Sequence, residues 1–160
     1  VTDLIREVTF NEGTDDELDV YVNIDEARYQ GVEATLDMVL TDSLYAGMSY
    51  TYLSTKDKET GSDLPFTPRH KVDLDLRYRF PFGLTASVQG SYTQRQFDED
   101  HRKMPDFFLL GARLAQDISI TDTVRTTLFV EGSNLTDRDY QEDSGPEPGR
   151  MYRAGMAVRF

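Results

Sequence analysis

The sequence predicts an all-β protein: a transmembrane, antiparallel, up-and-down β-barrel of about eight strands. Three observations lead to this prediction. Apolar and polar residues alternate with a period of two along most of the chain, which is typical of strands. The predicted connections alternate between short turns and longer charged loops, as at the periplasmic and extracellular rims of outer-membrane barrels. Aromatic residues lie near the strand ends on the apolar face, as in the girdles at the membrane interfaces.

The predicted strands follow from the alternation and from the breaks rich in Gly, Pro and Asp. They span residues 2–10, 18–40, 44–55, 70–80, 84–97, 106–119, 125–140 and 151–160. The short links are 41–43, 81–83 and 120–124, and the long links are 11–17, 56–69, 98–105 and 141–149. The second strand exceeds the 9–11 residues that cross a bilayer. We therefore expect its first half to project beyond the membrane, with a bend or bulge at Gly31.

The fourth predicted strand separates an apolar face from a charged one. Its apolar positions are Val72, Leu74, Leu76, Tyr78 and Phe80, and its polar positions are Lys71, Asp73, Asp75, Arg77 and Arg79. An arginine or lysine facing lipid at the midplane would cost about 2–4 kcal/mol, so the charged face is expected to line the lumen. The expected lumen charge network comprises Asp73, Asp75, Arg77, Arg79, Arg113 and Arg153, joined by Glu33, Asp37, Glu131 and Arg159.

Composition disfavours several other classes of protein. The net charge of −12 disfavours binding to nucleic acid through its phosphates. The chain has no cysteine, so it can form neither a disulfide framework nor a thiolate metal site. No apolar run approaches the ~20 residues of a transmembrane helix. The chain begins with Val1 in an already strand-like segment and shows no signal peptide, so we expect a fragment of a longer protein.

The sequence predicts no enzyme, no metal site and no cofactor. Asp73 and Asp75 are paired carboxylates, but their arginine neighbours favour a structural network over acid–base catalysis. His70 and His101 are the only histidines, and both lie in or beside predicted loops. A metal site there would need carboxylates and a loop closure that the sequence does not indicate.

Four segments together carry a resemblance to a known family. They are residues 23–33 (Asn-Ile-Asp-Glu-Ala-Arg-Tyr-Gln-Gly-Val-Glu), residues 67–71 (Thr-Pro-Arg-His-Lys), residues 134–140 (Asn-Leu-Thr-Asp-Arg-Asp-Tyr) and Pro148-Gly149-Arg150. In the same order, they resemble the N-x-x-x-A-x-x-x-G-V-E, P-x-H-x, NL-x-D-x-x-Y and PGR segments of TonB-dependent outer-membrane receptors. Gly155, Val158 and Phe160 resemble the terminal signal read by the barrel-assembly machinery, although Ala154 stands where that signal has a polar residue.

The resemblance implies a barrel of twenty-two strands around an N-terminal plug, with residues 1–160 forming the last third of that barrel without the plug. It implies a receptor in the bacterial outer membrane that takes up a metal chelate, such as a ferric siderophore, haem or a cobalamin. The implied partners are outer-membrane lipid and lipopolysaccharide, the barrel-assembly machinery, TonB through the plug, and the chelate. The candidate ligand contacts are donors near the long-loop rim: Arg69, His70, Arg95, His101, Arg102 and Arg150.

Two alternatives remain at this point. The first is a stand-alone, eight-stranded outer-membrane barrel with a structural or adhesive role, since eight strands can close around filling side chains. The second is a soluble β-barrel binding module. A plug and a TonB box encoded upstream would favour the receptor, and a signal peptide directly before Val1 would favour the small barrel.

Overall fold

A computed structural model describes residues 2–10, 18–142 and 147–160, with side chains described from residue 26 onward. In these residues the chain forms eight strands. They are β1 (Thr2–Phe10), β2 (Leu18–Thr41), β3 (Leu44–Asp57), β4 (His70–Arg79), β5 (Leu84–Gln94), β6 (Phe107–Ser119), β7 (Arg125–Ser133) and β8 (Met151–Arg159). They pair antiparallel in chain order in one sheet, which confirms the predicted all-β, up-and-down fold. The predicted loop at 11–17 lies outside the described residues.

The sheet is an open arc. Each strand pairs with its neighbours in sequence, and within the described ranges no pairing joins β1 to β8. The outer edges of β1 and β8 are therefore free to accept further strands. These eight strands therefore do not form a small closed barrel.

β2 has 24 residues and pairs with a different neighbour along each half. Leu18–Glu26 pairs with β1, whereas Ala27–Thr41 pairs with β3. The predicted bulge at Gly31 is wrong, because the register with β3 is continuous there and shifts only between Val39 and Thr41. Gly31 instead allows a close approach of the two strands, since a Cβ at this position would lie 2.4 Å from the carbonyl oxygen of Tyr52.

Two predicted strands end three or more residues earlier than expected. β5 was expected to reach residue 97, but it ends at Gln94 because Arg95 adopts a φ of 63°. β7 was expected to reach residue 140, but it ends at Ser133 because Asn134 adopts a φ of 47°. A left-handed residue turns the chain out of the extended conformation that a sheet ladder requires. Both segments therefore leave the sheet at its long-loop rim.

The register gives the sheet one apolar outward face. Met48, Leu74 and Gly90 are cross-strand neighbours on this face, and Leu114 and Val130 are neighbours further along it. Large apolar side chains on it are about half exposed, among them Leu74 (47%), Leu76 (47%), Leu114 (47%), Val130 (54%) and Met156 (66%). Such a broad exposed apolar face suits contact with hydrocarbon.

The buried apolar residues lie at the long-loop end. Leu64, Met104 and Phe107 are less than a tenth exposed. Two of them belong to loops, and Phe107 begins β6. The described residues thus form a single-layered wall with a small packed layer of loops at one rim.

Aromatic side chains mark both rims of the outward face. At the short-turn rim, the ring centroid of Phe80 lies 4.6 Å from that of Tyr78 and 5.3 Å from that of Phe82. At the long-loop rim, the imidazole of His70 lies 5.2 Å from the ring of Tyr52. This placement matches the interfacial girdles of membrane barrels.

Within the described residues, no helix is long and apolar enough to cross a membrane.

Candidate functional site

The inner face of the sheet and the loops above it enclose a concavity of about 650 Å³. One wall carries three carboxylates, Asp37 on β2 and Asp73 and Asp75 on β4. Tyr140 and Pro148 of the β7–β8 connection also line the concavity, together with other residues. A space with an acidic wall and a partly apolar wall can hold a small polar molecule or a segment of another chain.

Glycines keep this concavity open. Gly47 lies between Asp37 and Asp75 in the cross-strand register of β2, β3 and β4. A Cβ on Gly47 would come within 3.2 Å of a carboxylate oxygen of Asp37. On β6, Gly111 lies beside Gln89 in the same row. Absent side chains at these two positions leave room in front of the acidic wall.

Part of the predicted lumen network forms ion pairs. Arg77 donates to Asp75 over 3.5 Å, and its guanidinium carbon lies 5.5 Å from the ring centroid of Tyr45. The Tyr45 hydroxyl in turn donates to Asp37. Two hydrogen bonds and the cation–π contact between them thus connect Asp75 to Asp37 through Arg77 and Tyr45. One oxygen of Asp75 is shielded from solvent and has no hydrogen-bond partner among the described residues.

Glu131 on β7 joins two more arginines of the predicted network. Arg113 on β6 and Arg153 on β8 both donate to its carboxylate. The three residues are direct cross-strand neighbours, and Arg113 also lies 3.8 Å above the ring centroid of Phe129. By contrast, Asp73 and Arg79 make no ion pair within the described part of the chain.

The β7–β8 connection, residues 134–142 and 147–150, is fixed at both ends; we call it the clip. Asn134 is 6% exposed, and its side chain bonds the backbone of Arg138 in both directions at 2.9 Å. Asp137 accepts from the backbone N–H of Arg150 at 3.0 Å and pairs with its guanidinium at 3.0 Å. The hydrogen bonds from Arg150, backbone first, lower the pKa of Asp137. The clip therefore determines where β8 begins.

The clip also packs on the β5–β6 loop and on β6. The rings of Tyr140 and Phe107 lie 5.0 Å apart between centroids. The buried Gln96 donates to the carbonyl of Glu142 at 2.8 Å, and Leu135 N–H donates to the carbonyl of Leu110 at 2.8 Å. Burial, followed by the charges of two nearby glutamates, raises the pKa of Tyr140. These contacts hold the clip over the inner face.

Three predicted ligand contacts are engaged in ion pairs within the loops. Arg69 donates to both carboxylate oxygens of Asp63, at 2.9 and 2.8 Å. Burial opposes ionisation of Asp63, but Lys56 and Arg69 outweigh it and lower its pKa. Arg102 pairs with Asp100 in the same loop, and Arg150 pairs with Asp137 as described. These arginines stabilise the loops that carry them.

The other three predicted contacts differ in their location. His70 is on the outward face, where its Nδ1 lies 2.8 Å from the hydroxyl of Tyr50. Arg95 and His101 are exposed loop residues with positive φ values, 63° and 59°. Arg95 is also next to Arg69, whose N–H donates to its carbonyl at 3.4 Å. The structure thus does not gather the six residues into one site.

The sequence does not indicate the side-chain contacts that hold the clip in place. Asn134 and Asp137 belong to the motif at residues 134–140, but the motif does not predict their backbone contacts across the loop. Gln96 gives no signal in the sequence, since a single buried glutamine in a polar loop follows no periodic pattern. The motif at residues 134–140 was the signal that could have identified this region.

The terminal residues are divided between the two faces of β8. Val158 lies on the outward face, and Phe160 follows the strand with a fully exposed side chain. Gly155 lies on the inner face opposite Phe129, where a Cβ would come within 2.5 Å of the ring. Their role as an assembly signal stays a prediction.

No group of three or more His, Cys, Asp or Glu side chains within the described ranges is placed to hold a metal ion.

Comparison with known proteins gives a consistent set of similarities. The family model "TonB dependent receptor-like, beta-barrel" matches residues 1–135. The chain is 28% identical to the iron-regulated outer membrane virulence protein of Vibrio cholerae serotype O1 over 146 residues, 87% of this chain and 22% of that protein. It is 28% identical to the vitamin B12 transporter BtuB of Photobacterium profundum over 145 residues, again 87% and 22%.

Solved structures share the fold. The copper transporter OprC matches with a TM-score of 0.75 and 21% identity, over 98% of this chain and 27% of that one. The ferric enterobactin receptor PfeA of Pseudomonas aeruginosa matches with a TM-score of 0.70 and 19% identity, over 99% and 27%. The chain therefore spans about a fifth of the length of the curated relatives it matches.

Proposed function

Because the chain belongs to the TonB-dependent receptor-like β-barrel family of the bacterial outer membrane, we propose that it forms part of the wall of a receptor for a small metal chelate. In this proposal residues 1–160 are a C-terminal segment of the barrel, and the plug belongs to another part of the receptor. The apolar outward face contacts membrane lipid, with lipopolysaccharide on the side of the long loops. The terminal segment with Gly155, Val158 and Phe160 is read by the barrel-assembly machinery.

The observation that best supports a transport role is the concavity under the clip. Its charged lining residues lie on the inner face, and its walls come from strands and from loops at the long-loop rim. A chelate that enters past these loops would meet the clip first and the acidic wall afterwards. We infer that Asp73 and Asp75 act on this path through their charge and not as catalysts, because Asp75 is coupled to Arg77 within a structural network.

The names of the similar proteins support a metal-chelate ligand without selecting one. Among them are an iron-regulated virulence protein, a vitamin B12 transporter, a copper transporter and a ferric enterobactin receptor. We propose a ferric siderophore, haem or a cobalamin as the ligand, with TonB supplying energy through the plug.

Within the described loops, Arg95 and His101 are our preferred ligand contacts. Both side chains are exposed, and neither forms an ion pair with a described residue. Arg69, Arg102 and Arg150 are committed to carboxylates, so they would reach a ligand only after those pairs open. His70 faces outward and is not part of the proposed binding surface.

Uptake by the full-length receptor tests this proposal. Cells that carry the receptor as their sole route would be supplied with radiolabelled ferric siderophores, haem or cobalamin, with and without a functional TonB. We expect one of these classes to accumulate only when both the receptor and TonB are present. A receptor that folds in the outer membrane but neither binds nor accumulates any of the three would refute the proposal.

A further inference from the structure

Two arginines face each other at the short-turn end of the inner face. Arg125 is the first residue of β7 and Arg159 is the last residue of β8, and they are direct cross-strand partners. Both are exposed. They share the inner face with the pairs Thr127–Ala157 and Phe129–Gly155 further along the two strands.

This pair lacks the counter-charge that the same two strands provide elsewhere. Glu131 accepts from Arg153 opposite it on β8 and from Arg113 on β6, whereas neither Arg125 nor Arg159 has an ion-pair partner among the described residues. Asp117 is the nearest inner-face carboxylate in the register, and its Oδ1 accepts from the Thr127 hydroxyl at 2.6 Å. Like charges directly opposite each other destabilise an antiparallel pair unless an anion lies between them.

The guanidinium groups of Arg125 and Arg159 indicate which chemical group the pair would bind. Two neighbouring guanidinium groups present planar donor forks that match a carboxylate. Lipid phosphate lies on the wrong side, because the outward face at this level carries Ile118 and Val158. The similar proteins are roughly four times as long as the part that this chain matches, so most of such a receptor lies outside these strands.

We propose that Arg125 and Arg159 form a docking site for an acidic segment of the same receptor that enters the lumen from the short-turn rim. The segment places an Asp or Glu carboxylate between the two guanidinium groups and thereby ties the end of the β7–β8 hairpin to the interior of the barrel. The proposal rests on the proposed receptor function, but the contact does not depend on which ligand the receptor takes up.

Carbodiimide cross-linking of the full-length receptor in native outer membranes tests the proposal. The reagent joins a lysine amine to a carboxylate in contact with it, so the variants are Arg125→Lys and Arg159→Lys. Both keep the positive charge at an exposed site. We expect each variant to yield a cross-link, identified by mass spectrometry, to an Asp or Glu of the receptor outside residues 1–160.

Controls come from the same chain. Arg138→Lys places a lysine in the exposed clip at the opposite rim and is expected not to join that segment. The native pair Lys56–Asp63, 3.1 Å apart, serves as the positive control. If that pair cross-links and neither rim lysine does, the proposal is wrong.

Three further outcomes would also overturn it. One is a cross-link confined to Asp117 or Asp122. Another is a cross-link between two receptor copies. The third is a cross-link to a barrel strand that pairs with the free edge of β8, which would place the counter-charge in the sheet and not on a segment inside the lumen.

Discussion

The loop layer and the strand wall of this protein are stabilised in different ways. The loop layer at the long-loop rim buries Leu64, Met104 and Phe107 and connects its segments through Gln96 and Asn134. The strand wall buries no large apolar side chain completely among the described residues, and it exposes its apolar face. The stability of the loop layer thus depends on its own contacts, whereas the stability of the wall depends on the medium around it.

The largest expected effect comes from placing a charge on the outward face of the wall. Val130→Arg introduces a cation at a 54%-exposed outward position of β7. In a bilayer this should destabilise the folded receptor by about 2–4 kcal/mol, depending on depth. Reversible urea unfolding in lipid vesicles measures the difference.

Gln89→Arg is the matched control for that substitution, because it lies on the inner face beside Asp75. We expect it to cost much less than Val130→Arg. Equal costs for the two variants would contradict the assignment of the faces.

The second effect concerns the loop layer. Asn134→Ala removes both hydrogen bonds to the backbone of Arg138 and places alanine at a φ of 47°. We expect a loss of about 2 kcal/mol from the backbone groups of Arg138 left without a partner and from the left-handed conformation. Protease cleavage within the clip, measured on the receptor in membranes, should rise accordingly.

Asn134→Gly separates the loss of the hydrogen bonds from the backbone strain, since glycine adopts a positive φ without strain. Its cleavage rate should lie between those of wild type and Asn134→Ala. A rate equal to wild type for both variants would show that the clip does not depend on this side chain.

The third effect is a dependence on pH. The folded pKa of Asp137 is lowered by Arg150, so their contact stabilises the clip above the ordinary aspartate pKa of about 4. That contribution is lost as the pH falls through the lower folded pKa. We expect cleavage of the clip to increase in this acid range for wild type. For Asp137→Asn the cleavage should change less with pH, and an unchanged acid response would assign the effect to other carboxylates.

The smallest expected effect is the loss of stability when either of two loop arginines is replaced. Asp63 is 21% exposed and holds Arg69 in a two-point contact, whereas Arg102 and Asp100 are 75% and 63% exposed. Arg102→Ala should change stability by no more than about 0.5 kcal/mol, as for other exposed pairs. Arg69→Ala should cost about 1–2 kcal/mol, because it removes charged hydrogen bonds from a half-buried carboxylate. Thermal unfolding of both variants measures the difference, and a larger loss for Arg102→Ala would contradict it.

Much of the wall could be predicted from the chain alone. In β4 every second residue from Val72 is apolar, and this period of two is a direct consequence of strand geometry. The strand ends were harder to predict. Arg95 and Asn134 leave the sheet through left-handed backbone, and these residue types also occur within strands.

The amino-acid sequence is enough to predict the strand order, the separation of an apolar from a charged face, and the resemblance to a receptor family. These properties are local, because they depend on alternation and on motifs along a continuous stretch. The pairing of charges becomes visible in the folded sheet: Glu131 lies between Arg113 and Arg153, and Arg125 opposes Arg159. Cross-strand register sets such pairs, and a shift of one residue would move every side chain to the other face.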